Sequence, residues 1–229
     1  IGADFQMCVQ SMRDRLGTNP VPVQLPIGEE DKHRGVIDLV RMQAIVFDEA
    51  SKGQRYDVGE IPAELKDAAE TARAQLIEAA AEVDDVVGEK FLSDDVASIT
   101  EEDLVRALRH GTINFLLVPV LCGSAFKNKG VQQLLDAVVA YLPSPVDIPV
   151  KKGKHPEKQD LEVERPASDT APFSALAFKM MNDKFVGNLT FIRVYSGALQ
   201  SGDSVFNSTR GKHERIGRLL LMHANERED

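Results

Sequence analysis

The amino-acid sequence predicts an α/β segment with an inserted α+β subdomain, followed by a truncated antiparallel β-barrel. Three observations lead to this fold class. Residues 115–142 give an apolar strand, a polar loop and a helix, which together are half of an α/β unit. In residues 21–114, short segments with a strand-like pattern come before segments with strong helical periodicity. Beyond residue 172 the apolar residues recur with a period of two, between glycine-containing turns.

The composition limits the possible classes of function. The chain has 229 residues and a net charge of −9, from 36 acidic and 27 basic residues. A protein that wraps nucleic acid needs a basic footprint, which this sequence does not offer. Cys8, Cys122 and five scattered histidines predict neither a disulfide framework nor a metal site. No run of about 20 apolar residues and no signal peptide is visible, so the expected location is the cytoplasm. The missing initial methionine suggests a piece of a longer chain.

The first predicted elements are a short helix and three strands. Apolar residues at helical spacing predict a helix over Phe5–Leu16, with Asp4 as its N-cap and Gly17 as its stop. Alternating residues predict a strand at 21–25, and further strands joined by short polar turns are predicted at 35–40 and 43–47.

An acidic segment follows at residues 60–103. It holds 14 acidic and 3 basic residues. Its pattern predicts one long helix over 62–92, and then a second helix that Thr100 caps and that ends near Gly111. At about 100° per residue, one face of the long helix carries five carboxylates: Asp67, Glu78, Glu82, Asp85 and Glu89. This face fits either a solvated surface or a docking surface for a basic protein partner.

A strand, a loop and a helix come next. The unbroken apolar run at 115–121 predicts a strand buried on both faces of a parallel sheet, and a helix with an apolar stripe is predicted at 131–142. α/β folds bind ligands at the carboxyl ends of parallel strands, where the loop 122–130 lies. Small residues at 123–125 would let backbone N–H groups approach a planar base closely. The spacing alone also fits an ordinary strand-to-helix turn, which is the more frequent case.

The last part of the chain changes character. Residues 143–172 hold six of the 11 prolines and few apolar residues, which predicts a linker. Short strands are predicted beyond it, at 172–179, 188–196, 204–207 and 215–222. Four strands leave an open edge, so the barrel they begin is truncated.

Seven stretches of the sequence resemble bacterial elongation factor G, the GTPase of ribosomal translocation, and they occur in the order found in that family. They are residues 1–5 (IGADF), 15–22 (RLGTNPVP), 122–130 (CGSAFKNKG), 141–145 (YLPSP), 185–189 (FVGNL), 193–197 (RVYSG) and 223–225 (HAN). Release factors and tetracycline-protection proteins are the nearest other families. The resemblance extends over essentially the whole chain.

The resemblance implies a division into domains. The α/β part would be the remainder of a GTPase domain, made of residues 1–20 and 115–145, with the insertion subdomain at 21–114. Residues 146–171 would be a linker, and 172–229 would be part of a β-barrel second domain.

The resemblance also implies a cofactor and partners. GTP or GDP would bind through a guanine loop of Ser124, Ala125, Phe126 and Lys127, with the Ala125 N–H facing O6 of the base. Mg²⁺ would accompany the nucleotide, but the family's phosphate-binding motifs would lie upstream, and no G-x-x-x-x-G-K-[ST] occurs here. The parent protein would hydrolyse GTP as tRNA and mRNA move through the ribosome. The chain alone is expected to be inactive, with no catalytic residue of its own.

The five carboxylates would then meet the stalk protein of the large ribosomal subunit. From a different class of function, the residues by themselves also fit a non-catalytic interaction module whose acidic helix docks a basic protein partner.

Overall fold

The computed structural model describes residues 2–155, 158, 160–183, 187–223 and 226–228. The chain forms two compact units, Ile1–Leu142 and Pro143–Asp229, which are described separately. The predicted family stretches at 1–5, 185–189 and 223–225 lie partly outside the described residues, at Ile1, Phe185, Val186, Ala224 and Asn225.

The first unit contains helices and two sheets. Its helices are α1 (Phe5–Leu16), α2 (Lys66–Ala81), α3 (Asp85–Leu92), α4 (Glu101–Ile113) and α5 (Val131–Tyr141). Its strands are β1 (Pro20–Pro22), β2 (Gln24–Ile27), β3 (Gly35–Asp38), β4 (Gln43–Phe47), β5 (Tyr56–Gly59) and β6 (Val118–Val120). Strands β2 to β5 form an antiparallel sheet in chain order, and β1 pairs with β6 in parallel. The parallel strand pair is of the α/β type, and the antiparallel sheet with its helices is of the α+β type. This combination confirms the predicted fold class.

Helix α1 begins and ends where the sequence predicts. The Asp4 carboxylate accepts a hydrogen bond from the Met7 N–H at 2.9 Å, which satisfies one of the free amides at the start of the helix. Gly17 adopts φ +61°, and its N–H donates to the Arg13 carbonyl. Helix α4 likewise begins at Thr100, where a capping box with Asp103 is complete.

The strand predicted at 21–25 is wrong as a single element. The Val23 N–H donates to the Val120 carbonyl at 2.9 Å, whereas the Val23 carbonyl accepts from the Leu39 N–H at 3.0 Å. The chain therefore passes from the parallel pair to the antiparallel sheet at Val23. Strand β5 was not predicted; it is short, and all four of its residues, Tyr56–Gly59, are exposed.

The single long acidic helix is also wrong. The chain breaks it between α2 and α3, because Asp84 takes an extended conformation (φ −138°, ψ 120°) and caps α3. Its carboxylate accepts from the Val87 N–H at 3.0 Å and binds the Arg106 guanidinium on α4. An aspartate that caps a new helix and pairs with a distant cation competes effectively with continued helix.

The run at 115–121 is a strand only over Val118–Val120, and it is not buried on both faces. Phe115 is 94% exposed and Val118 is 41% exposed. Helix α5 is confirmed, but its predicted apolar stripe faces outward, with Leu134, Leu135, Val138 and Val139 exposed. The reason is that the parallel sheet has only two strands among the described residues, so little surface remains against which these side chains could pack.

The core of the first unit joins the antiparallel sheet to α2 and α4. Leu39, Leu76, Leu104, Leu108 and Leu117 are each at most 1% exposed and belong to one cluster. Full burial of a side chain of this size contributes about 1.5–3 kcal/mol. The cluster holds the antiparallel sheet in place, and this sheet in turn supports the candidate site.

The second unit consists of antiparallel strand pairs. They are β7 (Lys151–Lys154) with β8 (Glu162–Arg165), β9 (Ser174–Asp183) with β10 (Gly187–Ser196), β11 (Ser204–Asn207) with β12 (Lys212–Arg215), and β13 (Leu221–His223) with β14 (Glu226–Glu228). The first pair lies in the predicted linker. The strand predicted at 215–222 is wrong, because β12 ends where it was expected to begin. Over the described part of this unit the pairs form no closed barrel.

Candidate functional site

The loop 122–130 connects β6 to α5 and closes on itself through its backbone. The Ser124 N–H donates to the Lys129 carbonyl at 2.9 Å, and the Lys129 N–H donates to the Ser124 carbonyl at 3.0 Å. Between them, Ala125–Lys127 forms one turn of 3₁₀ helix. The loop is therefore a tight, defined structure at the carboxyl end of a parallel strand.

Two glycines make this closure possible. A Cβ at Gly123 would lie 2.7 Å from the Lys129 carbonyl oxygen. Gly130 has φ +83°, a conformation that other residues rarely adopt, and its backbone packs against Gly123. Gly123 and Gly130 therefore allow the loop backbone to approach itself closely, and the approach of residues 123–125 to a planar base stays a prediction.

The structure brings together the four residues predicted to contact guanine. Ala125, Phe126 and Lys127 are exposed, and Ser124 is half-buried. The Ala125 and Phe126 N–H groups stand at the start of a helical turn, where the turn itself offers them no carbonyl partner. Backbone N–H groups at this position of a helical turn can donate to an acceptor outside the turn. The sequence supplies no G-x-x-x-x-G-K-[ST] phosphate loop to accompany it.

The loop rests on the antiparallel sheet. Residues 48–55, called here the hairpin turn, connect β4 to β5 and are braced by Asp48, whose carboxylate accepts from the Ala50 and Ser51 N–H groups. An open cavity of about 520 Å³ lies between the hairpin turn and the loop. Glu49, Gly53, Phe126 and Lys129 are among its lining residues.

Sequence reasoning missed the residues that join these two segments. Lys129 is 4% exposed, and its ammonium donates to the His33 carbonyl at 2.7 Å and to Glu49 Oε1 at 3.0 Å. Gln132 Nε2 donates to the Gly53 and Gln54 carbonyls. Because the partners are about 80 positions apart in the chain, no local pattern could have indicated them.

The same contacts shift nearby pKa values. The hydrogen bond and positive charge of Lys129 lower the pKa of Glu49. Burial, and then the charge of Lys129, lower the pKa of His33. Burial raises the pKa of the Cys122 thiol to about 12, so this cysteine is a protonated, unreactive group rather than a nucleophile.

The second predicted site is the acidic surface, defined by Asp67, Glu78, Glu82, Asp85 and Glu89. All five are exposed, and none forms an ion pair within the described residues. The break at Asp84 means that they do not form one stripe. Asp67 and Glu78 lie on α2, Glu82 follows its end, and Asp85 and Glu89 lie on α3.

Other acidic side chains of this segment are neutralised. Asp84 and Asp103 both bind Arg106, at 3.0 and 2.9 Å, and Asp103 also binds Lys90 at 2.7 Å. These pairs tie α3 and the turn before it to α4. Among the described residues, uncompensated charge therefore lies on the acidic surface and also on six further exposed carboxylates of the segment: Glu60, Glu64, Glu70, Asp94, Asp95 and Glu102.

The described residues contain neither a membrane-spanning helix nor a cluster of metal-ligating side chains. Within the described ranges, no helix combines the length and the apolar character that crossing a bilayer requires. In the same residues, no three His, Cys, Asp or Glu side chains come together as a metal site would need.

Comparisons with known proteins find similarity at two levels, in the sequence of the last part of the chain and in the fold. Residues 172–229 match the model of the family described as elongation factor G domain 2. A similar solved structure is the crystal structure of ttk003000868 from Thermus thermophilus, with 25% sequence identity and a TM-score of 0.73. The match covers 99% of this chain and 30% of the other, so this chain spans less than a third of that protein's length.

Proposed function

We propose that the chain is a portion of a ribosomal translocation GTPase, because residues 172–229 match the model of elongation factor G domain 2 and the sequence resembles that family in the same order. In this proposal the first unit contributes the guanine-reading end of the GTPase domain together with its insertion. The parent protein binds GTP or GDP with Mg²⁺, hydrolyses GTP, and promotes movement of tRNA and mRNA on the ribosome in the cytoplasm. The phosphate-binding motifs belong to the parent and are absent from this sequence.

The observation that carries the proposal is the exposed loop at the carboxyl end of β6. Its backbone is fixed by the paired hydrogen bonds between Ser124 and Lys129, so its N–H donors are positioned before a ligand arrives. Preorganised donors lose little entropy on binding, and a buried edge of guanine has acceptors that need them. The Ala125 N–H is the donor assigned to O6 of the base.

A substitution at Ala125 tests this assignment in the full-length protein. Ala125→Val adds a branched side chain where the base would approach, and loss of one hydrogen bond to a buried base edge costs about 1–3 kcal/mol. GTP affinity should fall by about 5- to 150-fold, while ATP binding should not change. Titration calorimetry or a fluorescent nucleotide gives both affinities.

A matched control is available on the same unit. Ala63 also begins an exposed 3₁₀ turn, Ala63–Leu65, so Ala63→Val repeats the local change away from the loop. Its GTP affinity should equal that of the unmodified protein. An unchanged preference for GTP over ATP in Ala125→Val would show that the loop does not read the base.

The acidic surface supports a second role within the proposal. Its five carboxylates are exposed and unpaired among the described residues, which favours attraction of a basic partner over long range. The partner we propose is the stalk protein of the large ribosomal subunit. If the loop does not bind nucleotide, the same surface supports the alternative of a non-catalytic docking module for a basic protein.

A further inference from the structure

The hairpin turn and the loop 122–130 are held together by contacts between segments that are remote in sequence. Three kinds of contact join them: an ion pair, side-chain to backbone hydrogen bonds, and direct backbone packing. Each fixes a different point of the loop or of the helix that follows it. The four-stranded sheet is thereby joined to the segment that would contact the base.

The ion pair involves an almost fully buried cation. Burying a charge is costly unless it is paired and hydrogen-bonded. The Lys129 ammonium has two acceptors, the His33 carbonyl at 2.7 Å and Glu49 Oε1 at 3.0 Å. Both acceptors belong to the segments around β3 and β4, so the position of Lys129 depends on that sheet. Lys129 is also the residue whose backbone closes the loop on Ser124.

Backbone packing provides the second connection. A Cβ placed on Gly53 would lie 2.6 Å from the Asn128 carbonyl oxygen and 2.9 Å from the Lys127 carbonyl oxygen. No side chain separates the hairpin turn from the loop at this point. Gln132 adds the third connection, because its amide donates to the Gly53 and Gln54 carbonyls from the first turn of α5.

We propose that the hairpin turn positions the loop for base recognition, with Lys129 and Gln132 as positioning residues. A displacement of the turn then moves Lys127 and Asn128, and with them the donors at Ala125. Because coupling between two sites is reciprocal, anything that shifts the hairpin turn changes affinity for the base, and base binding changes the turn equally. This inference rests on the proposed guanine-reading function of the loop.

The structural part of the proposal is tested on this chain by amide hydrogen exchange. Gly53→Ala introduces a Cβ that collides with the loop backbone. Gly211→Ala is the matched control, since Gly211 also has a left-handed φ (+65° against +78°) in a hairpin connection but has open space around its Cβ position. Exchange at Ser124, Lys127 and Lys129 should accelerate at least about tenfold in Gly53→Ala and remain unchanged in Gly211→Ala. Unchanged exchange in both variants would overturn the positioning role.

The functional part is tested in the full-length protein with GDP and ADP. Gly53→Ala and Gln132→Ala should each raise the GDP dissociation constant by about tenfold and lower the ratio of GDP to ADP affinity. A variant that merely destabilises the unit would weaken both nucleotides equally, so this ratio separates positioning from general instability. Urea denaturation of each variant gives its stability independently.

The outcomes also separate this inference from the proposed function. If Ala125→Val alters guanine preference but Gly53→Ala and Gln132→Ala do not, the loop reads the base and the hairpin turn does not position it. If Ala125→Val has no effect on guanine preference, the proposed function fails. The functional part of this inference, that the hairpin turn affects base recognition, then fails with it. Accelerated exchange at the loop would then show only a mechanical connection. Loss of GDP preference in all three variants supports both proposals.

Discussion

Reversing two carboxylates of the acidic surface, Glu78→Lys with Glu82→Lys, should weaken binding to a basic partner without harming the fold. The two residues are one helical turn apart, and the Glu82 N–H donates to the Glu78 carbonyl at 3.2 Å. Both side chains are exposed, whereas Leu76 and Ile77 on the other side of α2 are buried. Because the reversed residues lie at the end of α2, lysines there suit the helix dipole, and stability should rise by about 0.3–1 kcal/mol at most.

The expected loss of affinity for the basic partner follows from the exposure of the Glu78 and Glu82 side chains. An exposed ion pair is worth about 0.2–1 kcal/mol, and reversal both removes an attraction and adds a repulsion. Two reversals should therefore cost about 0.8–4 kcal/mol, a range that includes the ~1.4 kcal/mol of a tenfold loss in affinity. The loss should lie mainly in the association rate, since exposed charges at the rim of an interface act mainly by steering the encounter. It should shrink as salt is added, because the Debye length falls from about 10 Å at 0.1 M to about 3 Å at 1 M.

The assay is stopped-flow binding of the full-length protein to ribosomes, or to the isolated stalk protein, at two salt concentrations. Glu29→Lys with Asp31→Lys is the control, because these exposed residues give the same change of net charge away from the acidic surface. Asp85→Lys with Glu89→Lys tests whether α3 contributes as well as α2. If the Glu78/Glu82 variant associates at the unmodified rate at low salt, the acidic surface is solvated and has no docking role.

Three further predictions concern this chain alone. It should release no phosphate from GTP above the buffer rate, because the groups that hold Mg²⁺ and the β- and γ-phosphates are not in its sequence. Phosphate release that disappears when the loop 122–130 is mutated would contradict this prediction. Asp103→Asn should lower the free energy of unfolding by about 1–2 kcal/mol at pH 7, since the carboxylate binds Lys90 at 2.7 Å. Hydrogen bonds from Lys90 and the Thr100 N–H hold the pKa of Asp103 well below its usual range, so its stabilisation is complete above about pH 5 and is lost as the pH falls below about 4. The unmodified chain and Asp103→Asn should therefore differ in free energy of unfolding at neutral pH, and this difference should narrow only in acid. Urea denaturation followed by helical circular dichroism measures it. Finally, iodoacetamide at pH 8 should alkylate the exposed Cys8 well before Cys122, because burial raises the pKa of the Cys122 thiol to about 12. Mass spectrometry measures the two alkylation rates, and equal rates would show that Cys122 is accessible.

Local signals in the sequence identify several elements accurately. The limits of α1 follow from Asp4 and Gly17, and the start of α4 follows from Thr100, because a cap is an interaction among residues within four positions. Strand β4 is equally well predicted, since the apolar residues of 43–47 form a strand in which Ala44, Ile45 and Phe47 are buried. The composition of the candidate loop also indicates its tight backbone.

Errors arise where a distant residue changes a local preference. Asp84 sits in a segment with continuous helical periodicity, but its pairing with Arg106, 22 positions away, favours a break and a new helix. The apolar run at 115–121 suggests full burial, although burial of a parallel strand depends on neighbours on both sides. Only β1 is present beside β6 in the described sheet.

The sequence by itself determined the α/β character of the first unit, the antiparallel strands of the second, the resemblance to elongation factor G and the composition of the loop 122–130. The tertiary structure alone decided what supports that loop. A lysine in a polar loop is ordinarily exposed. Lys129 is instead buried, and its ammonium donates to Glu49 and to the His33 carbonyl. The physical reason is that helical and strand periods report interactions within a few residues, whereas the contacts of the buried Lys129 ammonium form only when folding brings remote segments together.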